Sequence, residues 1–140
     1  MFQTPFPKTA THLASLLRDC EIDTESFVRP LARCELSRCR GTCCHDGVFL
    51  GSDEAEHIRS LVAGNRSSLD EMLGTPLPEQ VVVYGRTATS SGPKTLAVPA
   101  DDRADDHPQH FPATRCIFLD PDARCSLQRL SVEQGHPAWF

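Results

Sequence analysis

Four of the chain's seven cysteines fall within eleven residues, in the stretch Cys34-Glu-Leu-Ser-Arg-Cys39-Arg-Gly-Thr-Cys43-Cys44-His45-Asp46-Gly47. Such crowding fits a disulfide framework, a metal site, a redox centre or a reduced loop. A second pair, Cys116 and Cys125, brackets Ile-Phe-Leu-Asp-Pro-Asp-Ala-Arg. If Arg115–Leu119 is a strand and the turn around Asp120-Pro121-Asp122 reverses it, both thiols can face one point. The chain then carries two half-sites, Cys34, Cys39, Cys43 and Cys44 on one side and Cys116 and Cys125 on the other. Thiolates are soft ligands that favour zinc or an iron–sulfur cluster over magnesium or calcium. Closing such a site across distant segments contributes folding free energy. One zinc or one cubane takes four ligands, so six cysteines imply either two metals or two thiols with other work.

The adjacent pair sharpens the geometry. On an extended backbone Cys43 and Cys44 would point to opposite faces, whereas a turn beside Gly41 or Gly47 relaxes that restriction. His45 is the nearest nitrogen ligand. Cys20 lies two positions off the leucine face of an N-terminal helix and reads as a free thiol. No Cys-x-x-Cys is present, which weakens zinc-ribbon and thioredoxin readings. No His-Glu-x-x-His, Walker loop or Gly-x-Ser-x-Gly appears either.

The elements that must hold these residues are short. Leu13, Leu16 and Leu17 recur at helical spacing after Thr9 or Thr11 as N-cap. The stretch from Ser26 to Leu36 reads as β-like, with Pro30 marking an edge or bulge. A helix begins at Ser52 or Asp53, buries Ala55, Ile58, Leu61 and Val62, and is expected to stop at Gly64. A second, shorter helix runs to Gly74. Gln80–Gly85 is a strand by its valine run, with Lys94–Ala100 as its neighbour. Residues 101–113 are polar and aperiodic, hence loop. A final helix spans about Ser126 to Gln134. The expected fold is α+β: a small, loop-rich single domain over 1–140, with a small sheet, a few short helices and a metal-organised cysteine cluster.

Composition removes several classes of function. At 140 residues the chain can bury a core without covalent help. Hydrophobic residues make up 39% and charged residues 24%, a folded but rather polar domain. The net charge of −5, one Trp and one Tyr provide neither a basic stripe nor stacking aromatics, against direct nucleic-acid binding. No apolar run approaches the roughly 20 residues that span a bilayer. The first twenty residues lack the basic and apolar regions of a signal peptide, so the expected compartment is the cytoplasm. There, an odd number of cysteines is more readily metal-binding or catalytic than fully bridged. Three functions stay open: a structural or electron-carrying metal protein; a metal- or thiol-dependent enzyme with His45 or Asp46 as acid–base partner; and an interaction domain with reduced thiols and an unknown protein partner.

The pattern Cys-x4-Cys-x3-Cys-Cys-x-Asp-Gly, followed by a helix and then by Arg-Cys-Ile-Phe-Leu-Asp-Pro-Asp-Ala-Arg-Cys-Ser-Leu-Gln, resembles the YkgJ-like family of zinc- or iron-chelating cysteine-cluster proteins. The resemblance spans Cys34 to about Gln128 and implies metal ligation by Cys34, Cys39, Cys43, Cys44, Cys116 and Cys125. The family pattern continues to a further cysteine where this sequence reads Gly-His-Pro-Ala-Trp-Phe. That departure implies a shortened chain or an incomplete site, with His136 as a substitute ligand. A related cluster accompanies flagellin lysine N-methylases, but no methyl-donor pocket is recognisable here.

Overall fold

The computed structural model describes residues 7–21, 23–28, 30 and 35–136. The chain divides into two compact units, Met1–Arg33 and Cys34–Phe140. The first holds α1 (Pro7–Asp19) and α2 (Thr24–Phe27). The leucine spacing of α1 is as expected, yet Leu13, Leu16 and Leu17 are exposed. Helix α2 replaces part of the β-like stretch. Asp23 caps it by accepting the Ser26 N–H at 3.1 Å, and a local cap of this kind outweighs weak strand propensity.

The second unit carries α3 (Leu36–Cys39), a 3-10 turn at Thr42–Cys44, α4 (Ser52–Leu73), β1 (Val82–Arg86), β2 (Ser91–Thr95), β3 (Ala97–Pro99), β4 (Thr114–Cys116) and α5 (Ser126–Glu133). Two small antiparallel sheets result: β1 pairs with β2 in the register Val82↔Thr95, and β3 with β4 in the register Ala97↔Cys116. The fold is thus the small mixed α+β arrangement expected. Among the described residues no helix is long and apolar enough to cross a membrane.

Helix α4 is one element where two were expected. Gly64 does not end it; the backbone kinks at Asn65 (φ −133°, ψ 21°) and the helix resumes. The Asn65 side chain donates to the Leu61 carbonyl at 2.9 Å and accepts from Gln134 at 2.6 Å, a side-chain insertion of the kind that bends helices. The true C-cap is Gly74, at φ 69°. At the other end the helix begins at Ser52 as expected, with Gly51 as N-cap and Glu54 accepting the Gly51 N–H at 2.6 Å. The apolar face of α4 (Ala55, Ile58, Val62, Leu69, Leu73) meets Val82, Phe118, Leu119, Leu127 and Leu130 in one core.

Gly47 joins the cysteine segment to this core. Its φ is 74°, and a Cβ there would stand 2.3 Å from the Thr95 carbonyl oxygen. Gly47→Ala combines left-handed strain with backbone collision and is expected to cost about 2–3 kcal/mol. Urea unfolding checks it; Gly64→Ala, where a Cβ meets nothing within 4 Å, should be neutral or stabilising.

Candidate metal centre

The proximal segment is built by two successive left-handed residues. Helix α3 ends at Arg40 (φ 49°) and Gly41 (φ 70°), after which the 3-10 turn begins. The Thr42 hydroxyl donates to the Cys39 carbonyl at 2.6 Å, and the Cys44 N–H to the Gly41 carbonyl at 2.8 Å. Because Cys43 and Cys44 occupy a helical turn, their side chains are not forced to opposite faces as on a strand. Both line the same cavity, of about 700 Å³.

The distal segment supplies the other two thiols. Cys116 closes β4 and is buried. Residues Leu119 and Cys125 form an antiparallel bridge, and the Ser126 N–H donates to the Phe118 carbonyl at 2.8 Å. This confirms the reversal around residues 120–124, with β4 shorter than the expected strand. Asp120 builds that turn: its Oδ1 accepts the N–H groups of Asp122 and Arg124, and its Oδ2 the side chains of Arg124 and Arg129. Cys125 is the N-cap of α5. Cys116 and Cys125 line the cavity together with Cys43 and Cys44.

The four thiols also affect one another's ionisation. Burial pushes the Cys44 thiol from 9.0 up to about 12, and the charges of Cys43, Cys116 and Cys125 add to the rise. Burial also raises Cys116, against the hydrogen bond it shares with Thr95, the Phe118 N–H and the charge of Lys94. Cys125 is raised by burial as well, against the N–H groups of Gln128 and Leu127 in the first turn of α5. The helix N-terminus leaves those N–H groups without helical partners, so they are available to the sulfur.

Of the six cysteines the sequence pointed to, Cys43, Cys44, Cys116 and Cys125 meet around one cavity. Cys39 is half-buried and does not line it, and Cys34 lies outside the described residues. Cys20 belongs to the first unit, where its S–H donates to the Leu17 carbonyl at 3.2 Å. The His45 ring Nδ1 donates to the Thr42 carbonyl at 2.9 Å and stacks on Phe111 at 4.0 Å between centroids. It does not line the cavity. Among the described residues, no three His, Cys, Asp or Glu side chains are closed into a metal-holding group. No family model, curated protein or solved structure matches the chain.

Three surrounding residues escaped the sequence reading. Thr95 accepts the Cys116 S–H at 3.2 Å and the Val48 N–H at 2.8 Å. Lys94, nearly buried, pairs with Asp46 at 2.9 Å. Arg40 donates to the Pro121 carbonyl at 2.8 Å and to the Asp102 carboxylate. The only sequence signal for them was position: Arg40 stands between two cysteines, and Lys94-Thr95 opens the stretch read as one strand to Ala100, which the structure divides between the end of β2 and β3.

Proposed function

We propose that this protein binds a soft metal, zinc or an iron–sulfur cluster, through Cys43, Cys44, Cys116 and Cys125. The observation that carries the reading is the convergence of four thiols from two segments some seventy residues apart onto one cavity. Four is the ligand number of one zinc or one cubane cluster.

The donor set fits a bound cation. Ionising any one of these thiols makes the others harder to ionise, as the rise at Cys44 shows, and a cation removes that repulsion. The N–H groups of Phe118, Leu127 and Gln128 aim at sulfurs that would carry charge, the usual arrangement around thiolate ligands. The resemblance to the YkgJ-like family points the same way and adds Cys34 and Cys39 as further ligands. A bound metal would cross-link the 3-10 turn to the 116–125 hairpin, and an iron–sulfur cluster would also carry an electron.

Anaerobic purification followed by metal analysis and visible spectroscopy tests the reading. About one zinc per chain in a colourless protein, or iron with sulfide in a brown one, is the expected result. A folded protein free of both, and unable to take up either on reconstitution, would overturn it.

A further inference from the structure

The two cysteine-bearing segments are held in register by contacts that involve no cysteine. Arg40, next to Cys39 and three residues before Cys43, reaches across to the turn that carries Cys125. Its guanidinium donates to the Pro121 carbonyl at 2.8 Å. The same group pairs with Asp102, which belongs to the 101–113 loop. The side chain is only 18% exposed although its partner Asp102 is 64% exposed. Gly41 completes the approach: a Cβ there would stand 2.8 Å from the Leu119 side chain and 3.7 Å from that of Ala123, so the backbone of one segment packs directly on the other.

Arg40 occupies this place against two local preferences. Its φ of 49° lies in the left-handed region, which an L-residue with a Cβ adopts at a cost and glycine adopts freely. Its Nε–H is buried with no hydrogen-bond partner among the described residues, beside a cavity of about 10 Å³ also lined by Thr42, His45, Asp102 and His107. That volume holds at most a single water. A residue kept where both backbone and burial oppose it has a use for its side chain, and the observed use is the pair of bonds that Nη2 makes to Pro121 and Asp102. Lysine also carries several donors on one nitrogen, but its side chain is shorter and lacks the planar guanidinium.

We propose that Arg40 is the positioning residue that registers the Cys43–Cys44 turn against the Cys116–Cys125 hairpin; the consequence for metal binding rests on the reading above. Without these two bonds the halves stay joined by the Gly41 packing and by the Thr114 hydroxyl's bond to the His45 carbonyl, but lose the fine registration that a tetrahedral site needs. Residues of this kind around a metal site change its affinity by about 10- to 100-fold when removed.

The test compares wild type with Arg40→Gln and Arg40→Lys, full-length and metal-free at the start, using two probes. In anaerobic titration with Co²⁺, wild type is expected to show thiolate charge-transfer and tetrahedral d–d bands. Arg40→Gln should bind about 10- to 100-fold more weakly with altered bands, and Arg40→Lys should fall between. In the metal-free proteins, dibromobimane becomes fluorescent when it joins two nearby thiols, and peptide mapping shows which. Cross-links from Cys43 or Cys44 to Cys116 or Cys125 should be abundant in wild type and sparse in Arg40→Gln, with circular dichroism unchanged. Equal cross-linking in both proteins would overturn the positioning role whatever the metal result. Absent Co²⁺ binding by wild type, with the cross-linking difference intact, would sink the metal reading and leave the registration standing.

Discussion

Asp120→Ala is expected to destabilise the chain by about 3 kcal/mol, against less than about 0.5 kcal/mol for Asp122→Ala two residues away. Asp120 is fully buried, and its carboxylate takes two backbone N–H groups at 2.9 Å each and two arginine side chains at 2.9 and 2.8 Å. Alanine leaves those buried donors without an acceptor, and the penalty of an unmet buried group exceeds the net value of a hydrogen bond. The estimate stops short of the full cost of breaking a buried pair because Arg124 and Arg129 are 48% and 34% exposed and can rehydrate. Asp122, at 72% exposed, pairs with Arg124. Urea unfolding of the three proteins measures the difference; equal midpoints for the two alanine variants would refute the account.

Acid sharpens the same prediction. Burial alone would raise Asp120, but hydrogen bonds from Arg124 and Asp122 and the Arg124 charge hold it below 3.8. A carboxylate depressed on folding contributes stability that is fully present above 3.8 and is lost as pH falls through the folded value. The gap between wild type and Asp120→Asn should therefore be constant from neutral pH to about 5 and shrink below 3.8. A gap that widens in acid would mean that Asp120 is not held ionised.

The pattern of success and failure in reading this sequence has physical causes. The α+β class and the 116–125 hairpin were legible because their signals are local: an Asp-Pro-Asp turn, a valine run, an apolar period in Ala55, Ile58 and Val62. Gly64 misled because glycine ends helices only when the chain needs a left-handed residue there; here the break falls on Asn65, whose side chain replaces a backbone bond. Ser26 and Phe27, read as the start of a β-like stretch, misled because a single Asp23 cap outweighs the strand propensity of Phe27 and Val28. In the candidate site, thiol identity was legible but grouping was not. Spacing could not separate Cys39, which is off the cavity, from Cys43 and Cys44, which line it, because the separation arises from left-handed Arg40 and Gly41. Thr95 and Arg40 were invisible because each meets its partners only through tertiary contacts.

Thiol reactivity separates the metal reading from that of an enzyme with an activated cysteine. A catalytic thiolate needs a depressed pKa and access, whereas burial raises Cys44, Cys116 and Cys125 alike. Iodoacetamide labelling of the metal-free chain, followed by peptide mapping, reads this directly. With Cys44 moved from 9.0 to about 12, the thiolate at pH 8 is scarcer by a factor on the order of 10³. The greater nucleophilicity of a more basic thiolate offsets this by somewhat over tenfold, leaving a slowing of roughly 50-fold relative to an unstructured cysteine peptide before access is counted. The peptide rate should level off above about pH 9, while the Cys44 rate keeps climbing about tenfold per unit to pH 11. Exposed Cys20 reports that the reagent is active. A fast Cys44 rate already flat at pH 7 would mean an ionised, accessible nucleophile and would favour the enzyme. On the metal reading these thiols give up their protons when a cation takes them, so added zinc should suppress labelling of Cys43, Cys44, Cys116 and Cys125 together and leave Cys20 untouched.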